Sequence, residues 1–373
     1  MCAPDGSITD QYISLYRALA RGGAGLILTG HMFVHPRGRY THRQAGLHAD
    51  ELVPALRSFT RAIHADGGTI FAELGHAGSQ CRDPAIVPLA PSPVANFISQ
   101  RQPAEATAAE IEEVVQAFGQ AARRAREAGF DGVHIHAGHG YLISEFSSPH
   151  GNRRNDDWGG DAARRGRFVI AVYRAARSAA GPDFPVTVKL GMADSMPDGG
   201  LQLDESIERA LALEEAGIDA IEVSVGIMHL MTKSLGQFVG VTPRRAIEDL
   251  VIHRMVYPAG AEGYFLPYAR ALKARLKKTP VILVGGVRTT GFMQRVIRDG
   301  DADFLSMARP FIREPDLPNQ IKAGRRGLVS CVSCNICADH EGLEATRCWR
   351  LDKRDLLRHL AFRVRHSFAA RHS

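Results

Sequence analysis

The chain has 373 residues, of which 45% are hydrophobic and 23% charged, a composition typical of a soluble globular protein. No apolar run approaches the roughly 18–20 residues of a membrane helix, and the first residues lack the features of a signal peptide. The formal net charge is +6, but residues 349–373 hold seven Arg/Lys and two Asp. The body is therefore close to neutral, and we predict a cytoplasmic protein that binds neither nucleic acid nor a membrane.

Short β-branched runs alternate with amphipathic helical stretches, which is the pattern of a parallel α/β fold. Helices are predicted between the strands, for example at 109–128 and 204–216. The sequence thus predicts a (β/α)8 TIM barrel over residues 1–327, followed by a Cys-rich segment and a basic tail over 328–373. The seven predicted strands lie at residues 25–30, 69–74, 132–137, 186–191, 220–225, 281–286 and 304–309.

A closed barrel of this kind has eight strands, one more than the seven that are predicted. The chain opens with a turn and a helix at 9–21, so we expect the remaining strand to precede Met1. The alternative is a strand within residues 226–279, although this segment contains three prolines and is more typical of loops with one helix.

The stretch HIHAGHGYL, from His134 to Leu142, is the most informative part of the chain. A predicted strand breaks there at two glycines and sets two imidazoles and a phenol just past its C-terminal end, where barrel enzymes have their active sites. Imidazoles can donate hydrogen bonds to a substrate oxygen, and a phenol can deliver a proton. We therefore predict a catalytic loop that contains His136, His139 and Tyr141.

Residues 128–168 closely resemble the old yellow enzyme family of flavin-dependent oxidoreductases. Similar segments occur at 72–78 (AELGHAG), 285–288 (GGVR) and 306–311 (SMARPF), and the resemblance covers about residues 5–348. It implies a barrel that holds FMN at its C-terminal mouth. It also implies that NAD(P)H supplies the electrons and that an electron-poor alkene is reduced.

The resemblance also implies roles for individual residues. His136 and His139 match the pair that holds the substrate's carbonyl oxygen, where two fixed N–H donors stabilise developing enolate charge, and Tyr141 matches the proton donor to the α-carbon. Lys189 is expected to stabilise negative charge on the reduced flavin, and Glu73 to face the flavin pyrimidine. The candidates for the phosphate end, after the last two strands, are Gly285, Gly286, Ala308 and Arg309.

Three features depart from the family pattern. Glu73 stands where the family usually has Gln, and a carboxylate can only accept hydrogen bonds unless it is protonated. His134 stands at a usually acidic position, and the family's first strand has no counterpart among the predicted elements. A degenerate, non-catalytic barrel with weak or no flavin binding is therefore an alternative.

Four cysteines, Cys331, Cys334, Cys337 and Cys348, fall within 18 positions. They could hold a [4Fe–4S] cluster or a zinc ion in a reducing compartment. Their position resembles that of the cluster cysteines of 2,4-dienoyl-CoA reductase and its relatives, although two gaps are one residue shorter here. Those proteins continue into a region that binds FAD and a nicotinamide nucleotide, so we expect electrons for a cluster here to come from a separate partner protein. Zinc and unoccupied thiols remain alternatives.

The predicted function is that of an FMN-dependent NAD(P)H oxidoreductase, similar to ene-reductases, that acts on a small molecule with an electron-poor alkene. The sequence leaves open whether the protein is a homo-oligomer. A metal-dependent barrel hydrolase is the competing enzyme class, because His134 and His136 could bind a metal from one strand face. The later predicted strands, however, contain no further histidine.

Overall fold

The computed structural model describes residues 2–97, 99–196, 199–228, 262–334, 336–340 and 344–369. The strands in these ranges are β1 (Ile27–Leu28), β2 (Met32–Phe33), β3 (Ile70–Gly75), β4 (Leu89–Ala90), β5 (Ala104–Glu105), β6 (Gly132–Ala137), β7 (Val186–Gly191), β8 (Ala220–Ser224), β9 (Val281–Val284) and β10 (Phe304–Ser306). The helices are α1 (Asp10–Arg21), α2 (Val53–Ala65), α3 (Ala108–Glu127), α4 (Leu142–Ser147), α5 (Ala162–Ala180), α6 (Leu203–Ala216), α7 (Leu266–Lys273), α8 (Thr290–Arg298), α9 (Arg309–Arg313), α10 (Leu317–Lys322), α11 (Ile336–Asp339) and α12 (Lys353–Ala369).

Eight strands form one parallel sheet in the order β1–β3–β6–β7–β8–β9–β10, with β2 also beside β3. Apart from β4 and β5, which pair with each other, neighbouring strands in the sheet follow one another along the chain. Helices lie between them, which is the connectivity of a (β/α)8 barrel. The fold class predicted from the sequence is confirmed. Among the described residues, β1 and β10 are the outermost strands of the sheet.

The segments β1 and β2 occupy one strand position beside β3. Ile27 lies opposite Ile70, whereas Met32 lies opposite Leu74. Between these two pairs the chain advances five residues from β1 to β2 but only four along β3. The extra residue interrupts the first strand as a bulge does. The interruption includes residues 29–31, near the end at which the neighbouring strands give way to loops.

All seven predicted strands are present, with ends that differ by a few residues. The first is shorter than predicted because of the interruption between β1 and β2. The expected strand before Met1 stays a prediction. Most of the alternative segment, residues 229–261, lies outside the described residues, and residues 262–279 contain α7 and turns.

Local sequence fixes both ends of the helices that lie between the strands. Thr107 caps α3, because its hydroxyl accepts from the Glu110 N–H while the Glu110 carboxylate accepts from the Thr107 N–H, an arrangement that satisfies two end groups. At the other end of a helix, Gly217 follows α6 with φ +92°, in the left-handed region that favours glycine. Such short junctions bring the chain directly into the next strand.

Alternation along β6 separates the apolar core from the polar interior. Val133 and Ile135 are fully buried in the core between sheet and helices. His134 and His136 lie on the opposite face, where His134 hydrogen-bonds to side chains of β7 and β8. The interior of the sheet is therefore lined by polar groups that meet one another.

The Cys-rich segment and the tail contact the barrel and each other. The Arg288 guanidinium donates to the Cys331 carbonyl oxygen at 2.9 Å, and His340 Nε2 lies 3.0 Å from His359 Nδ1 of α12. The domain boundary between residues 327 and 328 stays a prediction. None of the described helices is long and apolar enough to cross a membrane.

Candidate active site

The loop after β6 is sharply bent at three consecutive residues. Gly138 allows close approach, since a Cβ there would lie 3.1 Å from the Val225 carbonyl oxygen. His139 and Gly140 follow with φ +59° and +73°. The His139 N–H donates to the Val225 carbonyl oxygen at 2.9 Å, so the loop folds over the end of β8. Tyr141 then leads directly into α4.

This geometry brings the two predicted histidines together. His136 Nε2 lies 3.2 Å from His139 Nδ1, and their ring centroids are 4.9 Å apart. The other ring nitrogen of His139, Nε2, lies 2.7 Å from the Ser224 hydroxyl, which is fully buried at the end of β8. The pair is thus fixed from both the loop and the neighbouring strand.

Both imidazoles are held in the neutral form. Burial lowers the pKa of His139 to about 4, with a further contribution from the Lys189 cation. Burial and the nearby cationic groups also hold the pKa of His136 well below its usual range. At neutral pH each ring therefore has one N–H donor and one acceptor nitrogen, as hydrogen bonding to a carbonyl oxygen requires.

The third predicted catalytic residue, Tyr141, packs against this pair. Its ring centroid lies 4.8 Å from that of His136 at an interplanar angle of 82°, and 4.7 Å from that of His31. Tyr40 lies edge-on at 5.8 Å. The structure thus brings His136, His139 and Tyr141 to one place, as predicted, and adds His31 from the interrupted strand.

A buried ion cluster lies beside the histidines, on the interior faces of β3, β7 and β8. Lys189 Nζ lies 2.8 Å from Glu73 Oε1 and 3.1 Å from Glu222 Oε2. Burial alone would lower the pKa of Lys189, but the two carboxylates outweigh it and raise that pKa. Burial would likewise raise the pKa of Glu222, and Lys189 and His134 instead hold it well below its usual range. Glu73 and Lys189 are therefore adjacent, as a shared cofactor site requires.

His134 forms hydrogen bonds within this part of the barrel, and these contacts do not support the alternative of a metal-dependent hydrolase. Its Nε2 lies 3.1 Å from Glu222 Oε2 and its Nδ1 lies 2.7 Å from Thr187 Oγ1. Both ring nitrogens thus have protein partners, whereas a metal ligand needs a free lone pair. Among the described residues, no group of three or more His, Cys, Asp or Glu side chains could hold a metal ion.

The predicted phosphate-binding residues follow two neighbouring strands. Gly285 and Gly286 come directly after β9 with φ +96° and +70°, and a side chain at Gly285 would collide with the Tyr264 ring. Ala308 precedes α9 and Arg309 begins it, after β10. Because β9 and β10 are paired in parallel, these residues share the same edge of the sheet. Their role in binding phosphate stays a prediction.

The four clustered cysteines line one cavity of about 270 Å³ next to α9. All four are free thiols. Three guanidinium groups, those of Arg309, Arg313 and Arg350, line the same cavity, and Arg313 Nη1 lies 3.2 Å from Cys348 Sγ. The structure thus brings the cysteines to one cavity that also has three arginines in its lining.

The side chains at the mouth fit a flavin nucleotide in their chemistry. An ammonium group has three N–H donors, and the two carboxylates beside Lys189 account for two of them. The third can donate to an electron-rich edge of the ligand. Glu73 can accept from a ligand N–H but cannot donate while it is ionised. The backbone at Gly285 and Gly286 offers the Cβ-free, positive-φ geometry that suits the approach of a phosphate.

Residues 1–327 match the sequence profile of the NADH:flavin oxidoreductase / NADH oxidase family. The chain belongs to this family. Among related proteins, an NADH oxidase from Thermoanaerobacter brockii is 37% identical over 338 residues, covering 89% of this chain and 48% of that protein. A 4,4'-dithiodibutanoate disulfide reductase from Rhodococcus erythropolis is 35% identical, covering 90% and 85%. The chain therefore spans about half of some relatives and most of others.

Solved structures agree with the family assignment. A 2-naphthoyl-CoA reductase in complex with 2-naphthoyl-CoA superimposes with a TM-score of 0.82 at 27% identity, covering 96% of this chain and 54% of that one. An old yellow enzyme homologue from Zymomonas mobilis gives a TM-score of 0.68 at 25% identity, covering 87% and 86%. The predicted resemblance to old yellow enzymes is confirmed. The family supports FMN and NAD(P)H as its cofactors.

Several side chains at the site were not predicted from the sequence. Glu222 and Ser224 lie on β8, where acid and hydroxyl alternate with buried apolar residues (AIEVS). His31 follows the first strand, and Gln80 lies in the turn after β3. Their positions just past or within barrel strands are a usable signal, but the residues that they contact are remote in sequence.

Proposed function

We propose that this chain binds FMN and uses electrons from NAD(P)H to reduce a C=C bond conjugated to a carbonyl group. The observation that carries the proposal is the pair of neutral imidazoles, His136 and His139, 3.2 Å apart beside the Tyr141 phenol. When bound at this mouth, FMN supplies two-electron hydride chemistry. The remaining requirements are met by side chains of the chain itself.

The imidazole pair would bind the substrate's carbonyl oxygen. Addition of hydride to the β-carbon moves negative charge onto that oxygen, and fixed N–H donors stabilise this charge more than they stabilise the ground state. Because burial keeps both rings neutral, the donors bring no cation that would attract other anions to the site. His136 and His139 thus orient the substrate and lower the barrier.

Tyr141 would complete the reduction by protonating the α-carbon. A phenol keeps its proton at neutral pH and can act as a general acid. Its ring packs against the His136 ring at 4.8 Å, so the phenol lies beside the residue that would bind the carbonyl oxygen. Lys189 would bind the flavin edge that gains negative charge.

The relatives support this class of reaction without fixing the substrate. One solved neighbour is a reductase of an aromatic acyl-CoA, others are morphinone reductase and an old yellow enzyme homologue, and curated relatives include NADPH dehydrogenases. We therefore propose an enone or enoyl substrate as a class. The Rhodococcus relative is named for a disulfide substrate, which makes disulfides the second class to assay.

The experiment is reconstitution with FMN followed by separate measurement of the two half-reactions. Tyr141→Phe should slow the oxidation of reduced flavin by cyclohexenone by roughly 100-fold or more, the usual size of general-acid catalysis. Reduction of the flavin by NAD(P)H should be nearly unchanged. Tyr268→Phe, in α7, is the control and should leave both rates unchanged. Equal losses in both half-reactions would contradict the assigned role of Tyr141.

Failure of the purified, reconstituted chain to bind FMN would favour the degenerate-barrel alternative. We would attribute such a loss of FMN binding to Glu73, because it places a carboxylate where the resemblance predicts an amide. A retained flavin with no turnover of enones, enoyl thioesters or disulfides would instead contradict the proposed reaction and leave cofactor binding intact.

We also propose that Cys331, Cys334, Cys337 and Cys348 hold a [4Fe–4S] cluster rather than zinc. The four thiols line one cavity of about 270 Å³, and the guanidinium groups there would offset the negative charge of a thiolate-bound cluster. A cluster would take its electrons from a separate partner protein or from the flavin.

The cluster is tested by anaerobic purification and metal analysis. We expect close to four iron and four acid-labile sulfide per chain, a broad absorption in the visible range, and loss of all three signals in Cys334→Ser. Cys81→Ser, a buried cysteine outside the segment, is the control. One zinc per chain with no sulfide would overturn the proposal in favour of the structural alternative.

A further inference from the structure

His139 has a strained backbone. Its φ of +59° lies in the left-handed region, which is unfavourable for a residue with a Cβ. Such strain persists only where the surroundings enforce it, and it is found mainly at functional sites. The question is which group holds His139 in this conformation.

Gln80 is that group. Its side-chain amide Nε2 donates to the His139 carbonyl oxygen at 2.6 Å, while the His139 N–H donates to Val225 at 2.9 Å. Both backbone polar groups of His139 are thus fixed by residues remote in sequence. Gln80 is itself only 5% exposed, so its amide has no ready exchange with water.

The turn that carries Gln80 is anchored to the same loop at two further points. The Leu142 N–H donates to the His76 carbonyl oxygen at 3.1 Å. The Ser79 N–H donates to Glu145 Oε1 at 3.0 Å, and the Ser79 hydroxyl also donates to it. The turn after β3 is therefore rigidly joined to the loop after β6 on either side of Tyr141.

We propose that Gln80 is a positioning residue that enforces the left-handed conformation of His139 and thereby keeps its Nδ1 beside His136 Nε2. The inference rests on the proposed function, in which this imidazole pair binds the substrate oxygen. Without the amide donor, the His139 peptide is free to relax to a negative φ. The His139 ring then leaves Ser224, and its Nδ1 moves away from His136 Nε2.

The test uses two near-isosteric variants of the FMN-reconstituted chain and p-nitrophenolate as a probe oxyanion. Gln80→Met fills the space without a donor, and about tenfold weaker probe binding is expected at every pH, the equivalent of one lost hydrogen bond of ~1.4 kcal/mol. Gln80→Glu should bind the probe about as weakly at alkaline pH, because a carboxylate facing a carbonyl oxygen repels it. In mildly acidic solution the protonated Glu can donate to that oxygen, and affinity should approach that of the wild type.

Recovery of probe binding by Gln80→Glu in acid distinguishes a positioning role from a general loss of packing. Protonation of one carboxyl group would not repair lost packing. Glu145, His139 and Cys81 also titrate near this amide in the wild type, so affinities are compared with the wild type at each pH. Gln120→Met, exposed on α3, is the matched control and should behave like the wild type. FMN affinity should be the same in all four proteins, which also reports that they fold.

Two results would overturn the inference. One is wild-type affinity for the probe in both Gln80 variants at alkaline pH, and the other is a Gln80→Glu defect that acid does not relieve. Failure of the wild type itself to bind the probe, with FMN bound, would instead contradict the proposed role of the imidazole pair. Failure of the wild type to bind FMN would contradict the proposed cofactor. If the Gln80 variants unfold, Gln80→Asn is tested instead, since it keeps an amide donor on a shorter side chain. Probe binding weaker than that of the wild type then supports the inference, and wild-type affinity contradicts it.

Discussion

At the scale of single residues, two carboxylates lie beside the ammonium group of Lys189. Glu73 stands where the resemblance to old yellow enzymes predicts an amide, and its carboxylate lies 2.8 Å from the Lys189 ammonium. A second carboxylate, that of Glu222, lies 3.1 Å from the same group. The Lys189 ammonium is thus shared by two anions, and its attraction for a reduced, negatively charged ligand is weakened.

We therefore expect Glu73→Gln to make bound FMN easier to reduce. Removing one negative charge from this end of the site stabilises the charge that the flavin gains on reduction, and a shift of about 30 mV or more to positive potential, equivalent to ~1.4 kcal/mol for two electrons, is expected. The midpoint potential is measured by spectroelectrochemistry. Glu73→Asp keeps the charge and should shift the potential much less. An unchanged or more negative potential in Glu73→Gln would show that Glu73 does not face the flavin.

At the scale of elements, the short helix α4 joins the catalytic loop to the rest of the barrel. All six of its residues are buried. Its Glu145 carboxyl accepts from Ser79, and burial raises the pKa of that carboxyl to about 8 in spite of these hydrogen bonds. A protonated Glu145 therefore stabilises the fold around the site at neutral and acidic pH.

The raised pKa predicts a pH dependence of stability. Because the folded chain binds a proton at Glu145 that the unfolded chain releases above its ordinary pKa of ~4.3, the free energy of unfolding should fall as pH rises from about 4.5 to 8. Through that window the slope due to this group is about 1.4 kcal/mol per pH unit. Urea unfolding between these pH values should show a shallower slope for Glu145→Gln. Glu112→Gln, exposed on α3, should retain the wild-type slope, and a wild-type slope in Glu145→Gln would exclude this group as the cause.

Packing between α4 and α5 stabilises the end of the loop that follows β6. Phe146 stacks on Phe168 with ring centroids 4.1 Å apart, and both side chains are at most 1% exposed. Phe168→Ala should cost about 3–5 kcal/mol of unfolding free energy, from lost burial and the cavity that remains. Phe168→Leu should cost less than half of that. A loss below ~1 kcal/mol in the alanine variant would mean that the stack is dispensable.

At the scale of the whole molecule, the Cys-rich segment lies against the end of the barrel at which the last two strands finish. Arg309 begins α9 directly after β10 and also lines the cysteine cavity. His359 of the tail helix contacts His340 of the same segment. The tail, the cysteines and the last βα unit thus form one continuous contact region.

Because these parts of the chain are in contact, loss of the proposed cluster should affect the stability of the whole C-terminal segment. Removal of iron by a chelator under reducing conditions should lower the unfolding temperature of the C-terminal segment, because metal binding contributes to folding. It should also make residues 331–350 more open to limited proteolysis, while FMN absorbance is retained. Identical proteolysis patterns before and after iron removal would contradict a folding role for the cluster.

The sequence by itself determined the barrel, the order of its strands and the position of the candidate catalytic loop. Strands and helices follow from local periodicity. The glycines at 138 and 140 mark the bend after β6, and His136, His139 and Tyr141 lie around them within six positions. Such a short motif is informative because the C-terminal ends of all barrel strands lie at the same face of the barrel, where active sites are found.

Only the tertiary structure decided what surrounds that loop. The contacts of Gln80 with His139, of Ser224 with His139 and of Glu222 with Lys189 join residues 59, 85 and 33 positions apart. Strand register and the packing of loops set such distances, and neither is encoded in the spacing of a motif. The chemistry was therefore readable from one segment, whereas the charge, protonation and strain that tune it arise from side chains that meet only when the barrel forms.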